Sequence, residues 1–304
     1  MRPLFVLFTA TLVTLAIGAT PREVYYQGPL TPLNTTPTFD KGYLFVYDAH
    51  QINVFGPDGS LLCGISAQVA NAKVVNILNA AADADGTVAG AVVYSMDGTS
   101  KAEGGGIAVF DRSGSQVRFF DTGRYFPTQV SFGPDHSIWT LGWPGSQVRR
   151  WSDDFFVLRN YSQEGRELGK FLPRSSFDPE PDPVGPMVGM WELRVIGDRV
   201  GAIIYRSSIY KESQTRPAMV WIETDLQGKV LERWDVGMDP APGAFTQSGA
   251  LYTHEGNSIL VFDRTTKVWR KVAPADGILL GADGDSLVFH IRGTNTLRRV
   301  PASQ

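Results

Sequence analysis

The chain has 304 residues, 28 of them basic and 31 acidic, for a formal charge of −3. It has no basic block, which argues against nucleic acid and anionic membrane surfaces as partners. Apolar residues make up 43%, ordinary for a globular protein, while 32 Gly, 19 Pro and 11% aromatics suit many short strands joined by tight turns.

The N-terminus opens with Arg2, an apolar run from Leu4 to Ile17, the small residues Gly18-Ala19-Thr20, and Pro21. A positive start, a short apolar stretch and a small-residue exit predict a secretory signal peptide over residues 1–19, cleaved near Gly18 or Ala19. The uncharged run is at the short end for a membrane span. The expected mature protein is therefore secreted or periplasmic, with no integral membrane segment after cleavage. Cys63 is the only cysteine, so no internal disulfide can form and the fold must rest on its core and strand ladders. A small buried hydrophobe in a strand, not a reactive thiol, is the expected role of Cys63.

Beyond residue 20 one phrase recurs: an apolar strand, a turn rich in Asp and Gly, and a second apolar strand. It reads Val54-Phe55-Gly56-Pro57-Asp58-Gly59-Ser60-Leu61 and returns from Val109, Trp221 and Val261. Self-similarity at roughly 40–50 residues in an all-β chain predicts a propeller of four-stranded antiparallel blades, strands A to D from the axis outward. Blade one is expected from about Thr35 to Ile65, with strands at Tyr43–Tyr47, Ile52–Phe55 and Leu61–Gly64. Blade two takes Val74–Leu78, Val88–Tyr94, Ile107–Phe110 and Val117–Phe120.

Blade three takes Gln129–Phe132, Ile138–Leu141 and Val148–Trp151; its outer strand is either Phe155–Leu158 or Glu167–Leu172. Blade four takes Glu192–Ile196, Val200–Tyr205, Met219–Glu223 and Val230–Asp235. Blade five follows with Ala244–Gln247, Leu251–Thr253, Ile259–Phe262 and Val268–Val272. Blade six has three strands, Ile278–Gly281, Leu287–His290 and Thr296–Val300. The isolated strand Arg22–Gln27 is expected to supply the fourth, closing the ring and hiding two sheet edges. The predicted fold is an all-β six-bladed β-propeller spanning residues 20–304 as one domain, with five or seven blades as alternatives because blade three is irregular.

This arrangement resembles six-bladed propellers of the NHL and gluconolactonase-like type, at the level of architecture and over the whole mature chain. Trp234-Asp235 is a WD dipeptide without its Gly-His companion, and Phe262–Trp269 looks like the end of a kelch repeat without paired glycines elsewhere. The gluconolactonase-like resemblance implies a divalent cation near the axis, held by carboxylate and amide side chains, and hydrolase or lyase chemistry. Asn71, Asn76 and Glu192 are the nearest candidates on the inner strands.

The A–B and C–D turns share one face and are short: Asp58-Gly59, Ser113-Gly114, Asp135-His136, Gly197-Asp198, Asp283-Gly284. Such turns need φ > 0 or Asx-type bonding, so that face reads as structural. The B–C and D–A loops of the other face are longer. They include Ser95–Gly106 with its Gly104-Gly105-Gly106 run, Arg206–Pro217, and the Pro/acidic segment Pro173–Met190. Loops of this length are usually functional or disordered.

Three of the four histidines, His50, His254 and His290, fall where a second strand meets its B–C loop. Candidate ligand contacts on that face are Asp48, His50, Arg124, Tyr125, Trp143, Arg206, Tyr210, His254, Glu255, His290 and Arg292. Imidazoles beside carboxylates can bind metals or exchange protons, yet no HExxH or Gly-x-Ser-x-Gly motif occurs. Trp139, Trp191, Trp221 and Trp269 are expected to pack between blades. Asn34 and Asn160 begin glycosylation sequons. The functional expectation is a binding protein for a small molecule, glycan or peptide on the B–C/D–A face; a metal-assisted hydrolase or lyase is the alternative.

Overall fold

The computed structural model describes residues 22–26, 37–47, 51–99, 101–144, 155–177, 190–206, 218–237, 243–275 and 277–302. The leader, His50, Asp48, Tyr210 and Val148–Trp151 lie outside them. Among the described residues, twenty-four strands form six four-stranded antiparallel sheets, the blades of a six-bladed propeller. β1 (Arg22–Tyr25) belongs to the last blade. Blade one holds β2 (Thr38–Asp40), β3 (Tyr43–Tyr47), β4 (Ile52–Phe55) and β5 (Leu61–Ile65). Blade two holds β6 (Val74–Ala82), β7 (Val88–Ser95), β8 (Gly104–Phe110) and β9 (Gln116–Gly123).

Blade three runs β10 (Tyr125–Phe132), β11 (Ile138–Pro144), β12 (Phe156–Tyr161) and β13 (Glu167–Pro173). Blade four runs β14 (Met190–Ile196), β15 (Arg199–Arg206), β16 (Ala218–Asp225) and β17 (Val230–Gly237). Blade five has β18 (Ala244–Phe245), β19 (Leu251–Glu255), β20 (Ser258–Asp263) and β21 (Val268–Pro274). Blade six has β22 (Ile278–Asp283), β23 (Ser286–His290), β24 (Thr296–Pro301) and, outermost, β1.

The ring closes as the isolated N-terminal strand predicts. β1 pairs antiparallel with β24, Val24 opposite Leu297, and Glu23 meets Arg298 at 2.7 Å. Tyr26, fully buried, carries the closure onward by packing edge-on against Phe55 of blade one. Closure removes two unpaired ladders that would otherwise template association.

Two sequence readings are corrected. The third strand of blade three is Phe156–Tyr161, paired with Ile138–Leu141, while the outer strand, Glu167–Pro173, is one of the two expected alternatives. The glycine run Gly104–Gly106 is strand, the start of β8, and the loop before it is correspondingly shorter. A Cβ on Gly105 would stand 2.9 Å from the Phe126 backbone, and one on Gly106 2.4 Å from the Phe119 ring. Those glycines let neighbouring strands approach.

Apolar burial follows strand alternation: one face of each blade meets the next, so the core is divided among the interfaces. Six clusters of buried side chains lie at successive blade junctions among the described residues. Trp139 stacks on Phe171 at 5.2 Å, and Trp269 of blade five donates Nε1–H to the Val236 carbonyl of blade four. The Trp191 side chain lies outside the described set.

Candidate axial pocket

The innermost strands β2, β6, β10, β14, β18 and β22 surround the axis, and polar side chains tie some of them together. Asn79 Oδ1 accepts the Val130 N–H at 3.0 Å, and Ser131 Oγ accepts the Val195 N–H at 3.2 Å. Strand alternation places Leu193 and Val195 of β14 in the core between blades three and four, which sends Glu192 and Arg194 to the opposite side. There they form an ion pair at 2.7 Å.

At the A–B end of the axis lies a cavity of about 310 Å³. The ends of β2, β14, β18 and β22 build it, with Pro134 from the turn after β10. Its charged lining is Asp40, Lys41, Arg194 and Asp283; Phe245, Ile196 and Gln247 contribute apolar and amide surface. Asp40 is the last residue of β2, followed by a two-residue hairpin in which Lys41 and Gly42 have φ of 47° and 90°. Positive φ at both central residues is the demand of a type I′ turn. That turn swings the Lys41 ammonium across to blade three, where Nζ donates to the Phe132 carbonyl at 2.5 Å.

Asp40 is 6% exposed. A backbone hydrogen bond from Ala82 serves its carboxyl, but Oδ2 has no hydrogen-bond partner. Burial pushes the carboxyl above the ordinary carboxylate range; Arg194 and Lys41 pull in the opposite direction without cancelling it. Glu192 is likewise raised, by burial and by the Asp40 charge, against the pull of Arg194. The other charges of the pocket are paired: Asp283 Oδ2 lies 3.2 Å from Arg299 Nε. An unpartnered buried carboxylate oxygen costs free energy that the native state must offset elsewhere.

The residues expected to contact ligand on the B–C/D–A face are placed differently from one another. Tyr125 is buried, its hydroxyl 2.9 Å from Thr140 Oγ1 and 3.0 Å from the Val157 carbonyl, under the Arg159 guanidinium. His290 is buried as well, with Nε2 2.8 Å from the Thr294 carbonyl, so it braces its own loop. Trp143 is half-buried, edge-on to Phe126. Arg124, Glu255 and Arg292 are exposed. His254 is half-buried, and burial together with the nearby Arg292 lowers its pKa, so the structure brings those two candidates into proximity. The Arg206 side chain is outside the described set. A second cavity, about 330 Å³, lies on this face between blades one and two, beside Tyr47, Lys73 and Asn76.

Among the described residues, no group of three or more His, Cys, Asp or Glu converges as a cation site would require. Cys63 is a free, half-buried thiol whose pKa burial pushes up, an inert environment. Asn160 is 8% exposed, so the folded blade leaves no room for a glycan on its side chain. Asp40 escaped the sequence reading because its strand has three residues, too few for alternation to register. The signal was the acid placed directly before a Lys-Gly turn.

The molecule is thus a six-bladed β-propeller with a charged pocket at one end of its axis. No protein-family model matches the sequence. No curated protein matches it either. Among solved structures it is similar to a gluconolactonase from Xanthomonas campestris, with a TM-score of 0.45 and 14% identity over 86% of this chain and 82% of that one. It is also similar to the Pan2 WD40 domain of Neurospora crassa, TM-score 0.49, 9% identity, over 88% and 75% of the two chains. A protein of unknown function from Bacteroides caccae gives a TM-score of 0.43 at 9% identity, over 78% of this chain and 80% of that one. Function must therefore be argued from this chain's own residues.

Proposed function

We propose that the chain is an exported binding protein that holds a small molecule in the axial pocket, entering from the A–B turn face. The observation that carries this reading is the Asp40 carboxylate: buried, lacking a partner at Oδ2, and lining a cavity that five of the six blades build. A fold maintained by its core alone gains nothing from such a group, whereas a ligand that donates to it repays the desolvation. The leader sequence supports export.

The cavity volume is near the lower limit for small-molecule sites, which favours a compact ligand over a peptide. A metabolite library screened by thermal shift tests the reading, with Asp40→Ala and His254→Ala compared against the unaltered protein. Hits that vanish in Asp40→Ala and persist in His254→Ala are expected. Hits with the reverse pattern would move the site to the opposite face and overturn it.

A further inference from the structure

We infer that the ligand of the axial pocket is an uncharged molecule with adjacent hydrogen-bond donor and acceptor groups, of hydroxyl or carboxamide type, read by Asp40 Oδ2 and the Arg194 guanidinium. The inference rests on the axial-pocket reading and specifies its chemistry. It follows from an inventory of the charges that face Asp40 and from what each is already doing.

Lys41, the next residue on the same hairpin, is committed to the Phe132 carbonyl of blade three. From β14, Arg194 is paired with Glu192. From β22, Asp283 is paired with Arg299 of β24. Asp40 Oδ2 is the one fully buried carboxylate oxygen of this set without a partner. The three acids and three bases balance, so the pocket has no net charge to offer a ligand ion.

An ammonium ligand would satisfy Oδ2 but would sit against Lys41 and Arg194, both close enough to act on Asp40 itself. A carboxylate or phosphate could reach the unused Arg194 N–H groups only by sitting against the Asp40 and Glu192 carboxylates. In a buried site either repulsion is expensive. An uncharged donor meets Oδ2 at no such cost. Arg194 uses Nη2 on Glu192, and a guanidinium has five N–H donors in a planar fork. The remainder of that fork suits an acceptor beside the donor. Gln247 brings an amide that can both donate and accept, and Phe245 supplies an apolar wall.

Protonation of Asp40 leaves such a ligand its match, because a carboxylic acid donates to a hydroxyl or carbonyl oxygen as readily as a carboxylate accepts from it. A cation would lose affinity on the same protonation and an anion would gain.

Saturation-transfer NMR on the purified protein, with acetamide, glycerol, acetate and methylammonium as separate probes at pH 5 and pH 8, tests this. Acetamide or glycerol is expected to bind at both pH values, at least tenfold more weakly in Asp40→Ala. Gln247→Ala, at an exposed position, is expected to weaken binding with the fold intact and serves if Asp40→Ala fails to fold. Preferential, Asp40-dependent binding of acetate or methylammonium would overturn the inference about ligand class and leave the pocket standing. Binding of no probe, or binding indifferent to both substitutions, would overturn the pocket reading as well.

Discussion

His136 occupies the turn position that glycine holds in most of its counterparts, with φ of 63° against 84° at Gly59 and Gly114. Its sequence context, Gly133-Pro134-Asp135-His136-Ser137, reads as a tight turn, and nothing local explains the imidazole. The explanation is non-local: Nδ1 lies 2.6 Å from Asp83 Oδ2 of blade two, so the strained turn supports a clamp between blades. The Asp83 contact raises the His136 pKa. A raised folded-state value means that the pair stabilises fully below the ordinary imidazole pKa and loses its contribution as pH rises through the elevated one. His136→Asn keeps a residue that tolerates this backbone and removes the titration. Its deficit in Tm relative to the unaltered protein should be largest near pH 5.5 and fade by pH 9; a deficit independent of pH would mean that the charge on His136 contributes nothing.

At the scale of elements, strand assignment was legible wherever a turn phrase separated two apolar runs, as around Asp58-Gly59 and Ser113-Gly114. It failed where chemistry in one blade answered to another. Gly104–Gly106 resembles a loop in isolation and is a strand because β9 and β10 press against it. Trp221 and Glu223 illustrate the same dependence. Glu223 is fully buried in β16, accepting from Trp221 Nε1 at 2.8 Å, from Arg199 Nη1 at 3.1 Å, and from Arg264 Nη2 of blade five at 2.8 Å. Arg264 also donates to the Gly249 carbonyl and lies over the Trp234 ring. Removing the acid from this junction strands two guanidinium groups that water can partly reach. Glu223→Ala should therefore cost about 3 kcal/mol, the lower end of the range for breaking a buried pair, measurable by urea denaturation. A loss under about 0.5 kcal/mol would show that the Glu223 ion pairs contribute little to the cohesion of blades four and five.

Over the whole molecule, the six-fold repeat and its closure by the N-terminal strand could be read from the spacing of turn phrases and the three-stranded last blade. The candidate site could not. It is assembled at the axis from residues far apart in sequence, Asp40, Arg194 and Gln247 among them, each unremarkable in its own neighbourhood. Turn chemistry marked that face as structural, yet the axial pocket opens there. The same short turns leave the axial mouth open because none is long enough to cover it. Glu192 was singled out on the sequence, and its pairing with Arg194 two residues on follows from strand alternation, but its place near Asp40 depends on ring geometry.

The account stands on Asp40 being held at a cost to the fold. Its raised pKa implies that the protein is most stable while this carboxyl is protonated and loses that stability as pH rises through the elevated value. Asparagine at this position preserves shape and does not titrate. The decisive measurement is thermal and urea unfolding of Asp40→Asn beside the unaltered protein, without ligand, from pH 3.5 to pH 8. The two should match at the acid end and diverge with rising pH, until the variant is more stable by about 1–3 kcal/mol at pH 8. A variant that is less stable across the range would contradict this, because Asp40 would then be a structural acceptor and not a group held for a ligand.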